Sequence, residues 1–147
     1  MKKITIYTDG ASRGNPGPAG AGVVFENEKG QAFKEYAHFL GNKLTNNEAE
    51  YLAVIFALKK FKHLFGKKVA KTSEVELKSD SELLVKQLTG KYRLSDKRIQ
   101  EFFIEIWNLK LDFKKIKFIH VSRTKNKKAD ALANQALDQK TKTQKLF

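Results

Sequence analysis

Apolar and polar residues repeat along this chain with two periods, near two and near 3.6, and the change between them separates strands from helices. Residues 4–8 (Ile-Thr-Ile-Tyr-Thr) alternate and are β-prone, which predicts a strand ending at Asp9. Residues 10–20 read as a long turn rich in Gly and holding the only two prolines, Pro16 and Pro18. Residues 22–26 predict a second strand, 27–30 a turn and 32–40 a third strand. The first forty residues therefore predict an antiparallel meander. The period then lengthens. Thr45-Asn46-Asn47-Glu48 offers an N-cap with an acidic first turn. Ala49, Leu52, Ala53, Phe56, Ala57 and Phe61 follow at helical spacing, predicting a helix to about His63.

Residues 67–73 read as a basic loop and 75–79 as a short strand ending at Asp80. Ser81 caps a helix carrying Leu84, Val85 and Leu88 and stopping near Gly90. Ser95-Asp96 starts another, with Ile99, Phe102, Phe103, Ile106, Trp107 and Leu109 as its apolar positions, for most of which core packing is the reading. Residues 116–121 predict a fifth strand, 123–128 a polar loop and 129–137 a last helix of small residues. The order βββαβααβα predicts an α/β fold, a mixed sheet with helices on its faces. With no repeat and no linker, residues 1–147 are expected to form one domain, with 138–147 a frayed polar tail.

Composition narrows the chemistry. The 147 residues hold no cysteine, which excludes disulfides and thiolate zinc sites. With only three histidines, a metal site would be built of oxygen, suiting magnesium, manganese or calcium. No apolar run approaches the ~20 residues that span a membrane, and the short apolar start is interrupted by Asp9. The cytoplasm is the expected compartment. A net charge of +13 suits a polyanionic partner, though lysine that merely keeps the chain soluble explains composition equally well.

Four acids fall at element ends. Asp9 and Asp80 end predicted strands; Glu50 and Asp130 lie in the first turns of predicted helices. In sheets with helical crossovers, functional groups gather at such positions. Clustered carboxylates repel and need a cation to stay ionised. Two divalent ions would neutralise them and support in-line phosphoryl displacement without a Ser or Cys nucleophile. Each acid alone reads more readily as a cap, a turn residue or a surface charge than as a ligand.

The local sequences around these acids resemble the ribonuclease H type 1 (ribonuclease HI) family. Residues 7–17 (YTDGASRGNPG) resemble its opening motif, 45–51 (TNNEAEY) its second, 79–81 (SDS) its third and 123–134 (RTKNKKADALAN) its fourth. Four motifs in order over roughly residues 3–137 form a specific signal. The resemblance implies a five-stranded mixed sheet flanked by helices. It implies an endonuclease that cuts the RNA strand of RNA–DNA hybrids and leaves 3′-hydroxyl and 5′-phosphate ends. Asp9, Glu50, Asp80 and Asp130 are implied to hold two Mg2+ ions, with Mn2+ an alternative. Glu50, not Glu48, lies three residues after the paired Asn, so Glu48 is assigned a structural place in the helix start. Asn15, Asn46 and Asn47 are implied to touch bases or sugars in the minor groove, and backbone groups of Gly10, Ala11 and Ser12 the RNA 2′-hydroxyls. Thr45 is similar to a residue that grips a DNA phosphate, and Arg123 aligns near a polar family position. Where members often have a mobile His before the last motif, only His120 is nearby, and strand alternation expects it buried. Many bacterial members also carry an extra basic helix and loop between the third and last helices, for which residues 88–111 leave little room. A monomer is expected.

Overall fold

The computed structural model describes residues 2–146, with side chains described for residues 3–141. Its elements are β1 (Lys2–Ser12), β2 (Gly17–Glu26), β3 (Ala32–Leu44), α1 (Asn46–Lys71), β4 (Ser73–Ser79), α2 (Glu82–Leu88), α3 (Lys97–Lys110), β5 (Lys115–His120), a 3₁₀ turn (Arg123–Asn126) and α4 (Lys127–Leu146). The strands form one five-stranded sheet in the order β3-β2-β1-β4-β5. β1, β2 and β3 pair antiparallel, whereas β1–β4 and β4–β5 pair parallel. The mixed sheet expected from the periodicity is the one observed.

Strand alternation sends neighbouring side chains to opposite faces, and a different helix covers each face. A Cβ on Gly10 of β1 would lie 2.2 Å from the Ala49 carbonyl oxygen of α1. On Gly22 of β2, which pairs with Asp9, it would lie 1.8 Å from the Ala129 carbonyl oxygen of α4. The main core lies between the sheet and α1, α2 and α3, and includes Ile6, Phe25, Tyr51, Leu58, Phe61, Leu77, Leu84 and Ile106.

Several boundaries move, each for a packing reason. β1 runs on to Ser12 and β2 begins at Gly17, so most of the expected turn is strand. Gly14 (φ 95°) does serve the turn, but Gly10 and Gly20 are small because α1 and α4 press on the sheet there. α1 continues past His63 to Lys71 through a kink at Gly66 (φ 85°), and the buried Ala70 anchors the segment expected as a basic loop. The 123–128 loop is a 3₁₀ turn followed directly by α4.

The expected frayed tail is also different. α4 continues to Leu146, nine residues beyond the end of its apolar pattern. Two contacts hold the extension: Asp138 pairs with Arg13 at 2.6 Å, and the Lys140 ammonium lies 5.0 Å from the Phe39 ring centre. On α3, Trp107 is 56% exposed, stacking on Phe103 under Lys110 instead of entering the core. His120 is exposed, because its side chain lies at the last position of the edge strand β5. Between α2 and α3 there is no further helix. Among the described residues, no helix is long and apolar enough to cross a membrane.

The Gly22 contact gives a direct test. A Gly to Ala change within a strand would ordinarily stabilise by about 0.5–1 kcal/mol. Here the new methyl meets backbone that cannot rotate away, and overpacking costs about 1–3 kcal/mol. Gly22→Ala should therefore lower the urea midpoint, and a midpoint at or above wild type would contradict the packing of α4.

Candidate metal centre

The parallel register of β1 and β4 reaches Tyr7↔Lys78. Two residues further on, the strands release Asp9 and Asp80 side by side. Glu50 arrives from α1, just past its first turn rather than within it as expected, and its Oε1 accepts the Gly10 N–H at 2.7 Å. The approach of α1 that Gly10 permits is thus also what delivers Glu50. Asp9, Glu50 and Asp80 each place a carboxylate oxygen within 4.8 Å of the others. Asp9 is 6% exposed and Glu50 9%.

Asp130 stands apart. It is exposed in the first turn of α4 and is not one of the three. Its charge nevertheless acts on Asp9. Burial first, and then the charges of Asp80 and Asp130, push the Asp9 carboxyl up to about 8. Burial and the Asp9 charge push Glu50 well above the usual carboxylate range, against the Gly10 hydrogen bond. The Arg123 guanidinium draws both back down, though not enough to offset the burial. Uncompensated, oxygen-only and partly shielded from water, this donor set fits a hard divalent cation.

Glu48 is excluded from the cluster by its own bonds. It forms a capping box with Thr45: Thr45 N–H donates to Glu48 Oε1 at 2.8 Å, and Glu48 N–H donates to Thr45 Oγ1 at 3.1 Å. Its other oxygen meets the Arg98 guanidinium at 3.0 Å. Around the cap, Ser12 N–H donates to Asn46 Oδ1 at 3.1 Å, and Asn46 N–H donates to Asn15 Oδ1 at 2.9 Å. Both amide oxygens are thereby occupied, leaving the two NH2 groups as donors. Ala11 and Ser12 are half-buried beside them, while the Asn47 Oδ1 is buried without a partner among the described residues. The larger surface recesses, about 510 and 630 Å³, lie around Lys3 and Ile4 at the opposite end of β1.

A family model described as "Reverse transcriptase-like" matches residues 7–136. The chain is 31% identical to the Ribonuclease H of Dechloromonas aromatica over 92% of its own length and 94% of that protein's. It is 40% identical to the Ribonuclease HI of Halobacterium salinarum over 92% of its own length. The crystal structure of LC11-RNase H1 in complex with RNA/DNA hybrid superposes with a TM-score of 0.88 at 42% identity, covering 94% of this chain and 99% of that one. The chain belongs to the ribonuclease H family. It spans 65% of the length of the halobacterial relative and 36% of that of the mycobacterial relatives it matches.

Set against this ribonuclease H frame, the residues expected from sequence occupy one end of the sheet. The structure gathers Asp9, Glu50 and Asp80, with Asp130 and Arg123 beside them, and arranges Ser12, Asn15, Thr45 and Asn46 around the start of α1. It also consumes the Gly10 N–H internally. Two residues outside the expected set serve the site's frame. Asn126 is 1% exposed and donates from Nδ2 to the Thr8 carbonyl at 2.9 Å. Asn134 donates to the Asp130 carbonyl at 3.0 Å. Both asparagines lie within the 123–134 motif, but no local pattern in the sequence marks Asn126 as the residue that reaches Thr8.

Two expectations follow. In the folded chain Asp9 keeps its proton to about pH 8, against 3.8 for an ordinary Asp. Across that interval the folded state binds the extra proton, so its stability is highest at the acid end and is lost as pH rises towards 8. In metal-free protein Asp9→Asn should therefore raise Tm at pH 8 by at least ~3 °C and change it little at pH 4. An equal shift at both pH values would show that Asp9 is not strained. Glu50→Gln should abolish divalent-cation binding in a calorimetric titration. Glu48→Gln should keep that binding while losing about 1 kcal/mol of stability with the cap.

Proposed function

We propose that this chain hydrolyses the RNA strand of RNA–DNA hybrids, with Asp9, Glu50, Asp80 and Asp130 holding two divalent ions, Mg2+ or Mn2+. The observation that carries this reading is the Asp9–Glu50–Asp80 cluster, with Asp9 and Glu50 buried, at the point where β1 and β4 part. When bound, the ions activate water and stabilise the leaving oxygen of an in-line displacement, leaving 3′-hydroxyl and 5′-phosphate ends.

The protein's own groups supply position and polarity. The Gly10 N–H fixes the orientation of Glu50. Arg123 keeps positive charge beside the acids. Thr45 Oγ1 accepts a bond from Glu48 N–H, which leaves its hydroxyl hydrogen for a phosphate oxygen. Asn15 and Asn46, their oxygens held by backbone N–H groups, present donors. Every base pair offers acceptors in the minor groove, so a donor surface grips a duplex without reading its sequence. The halves of the hybrid then differ in the 2′-hydroxyls that reach Ala11 and Ser12. The charge of +13 draws in the polyanion from a distance and makes its affinity salt-dependent.

The decisive assay offers hybrid, RNA duplex, DNA duplex and single strands side by side in Mg2+ or Mn2+. Only the RNA of the hybrid should be cut, and chelation should stop cleavage. Asp9→Asn should lower the rate by about 10³-fold or more, the loss expected when several kcal/mol of charge stabilisation disappear. Wild-type activity in that variant would overturn the metal-site reading. Preferred cleavage of the RNA duplex would keep the chemistry and replace the substrate.

A further inference from the structure

Beyond the acids themselves, we infer that Asn126 is a positioning residue that sets Asp9 against Asp130; this rests on the functional reading above. The two acids come from elements that no strand pairing connects. Asp9 lies on β1 and Asp130 on α4, and the last β1–β4 pair is Tyr7↔Lys78. Beyond that pair the strands diverge, opening the gap in which Asp9 and Asp80 sit. The Thr8 carbonyl is next to the gap, one residue before Asp9. Its donor is the Nδ2 of Asn126, at 2.9 Å and 118 residues away in the chain.

Asn126 ends the 3₁₀ turn and immediately precedes α4, four residues before Asp130. Its bond to Thr8 therefore joins the start of α4 to the strand end that carries Asp9. The orientation of the amide is dictated by chemistry: only its NH2 can face a carbonyl oxygen. Its Oδ1 is buried without a partner among the described residues. An unpaired buried acceptor is costly, so a residue chosen for stability alone would be apolar here. An apolar side chain cannot supply the donor that spans the gap. The same 3₁₀ turn begins with Arg123, whose charge acts on both Asp9 and Glu50, so the tether also places that cation.

Removing a group that orients metal-holding side chains typically changes metal affinity or activity by about 10–100-fold. The test compares Asn126→Ala and the milder Asn126→Ser with Ser73→Ala. Ser73 is also fully buried and donates to the Val69 carbonyl at 2.6 Å, but at the far end of β4. All three variants lose one buried hydrogen bond, so all should lose Tm. Only the Asn126 variants should bind Mn2+ at least ~10-fold more weakly by calorimetry and show kcat reduced by a similar factor. Their KM for hybrid should change less than threefold, since Asn126 is buried. If, after correction for folded fraction, both Asn126 variants match Ser73→Ala in Mn2+ affinity and kcat, or lose only KM, the positioning role is wrong. Wild-type protein that neither binds Mn2+ nor cuts hybrid would sink the functional reading and this inference with it. Wild-type binding matched by both variants sinks this inference alone.

Discussion

Three carboxylates that repel one another are held with an oxygen each within 4.8 Å, and two of them are largely withdrawn from water. For Asp9 and Glu50 the Arg123 guanidinium, and for Glu50 also the Gly10 N–H, favours the charged form, and burial outweighs both. Such a contact persists only if the surrounding structure enforces it. The parallel β1–β4 pair brings Asp9 and Asp80 level, and the absence of a side chain at Gly10 lets α1 come close enough to add Glu50. The unfavourable contact is thus supported by packing elsewhere in the molecule, as expected where function requires a strained local arrangement.

The frame around the acids also sets the polarity of the surface beside them. Hydrogen bonds that cap α1 and close the β1–β2 turn use acceptors: Glu48 on the Thr45 N–H, Asn15 on the Asn46 N–H and Asn46 on the Ser12 N–H. What remains pointing outward is therefore rich in donors. Local structural economy and substrate recognition are served by the same side chains. At long range the +13 net charge acts in the same direction, while the acids act only at contact distance.

Asp130 occupies a different physical situation from the other three. It rides on α4, which packs on the opposite face of the sheet from α1, and it remains exposed. Its position relative to Asp9 depends on how α4 docks. That docking combines the Gly22–Ala129 contact, the Asn126 tether and, further along, the Arg13–Asp138 pair that joins the β1–β2 turn to the same helix. Three of the acids are therefore placed by the ends of two central strands and the helix beside them, and the fourth by a separate docking event.

The sequence alone determined the order of elements and the positions of the four acids at their ends, because strand and helix periods are local properties of the chain. Likeness to the family's second motif pointed to Glu50 rather than Glu48, and the capping bonds of Glu48 agree with that choice. The sequence misread most of residues 10–20, where Gly10 and Gly20 look like turn punctuation yet are strand positions against which helices from elsewhere in the chain pack. It ended α4 too early, because the extension beyond Leu137 is held by Arg13 and Phe39, partners about a hundred residues away. It placed Trp107 and His120 among buried positions, although α3 and β5 lie at the margin of the sheet, where a periodic position need not face a neighbour. Only the tertiary structure decided that Asp9, Glu50 and Asp80 share one site, that Asp130 stands beside it, and that Asn126 bridges the gap. Each of those facts is a distance between segments far apart in sequence, and no local pattern encodes such a distance.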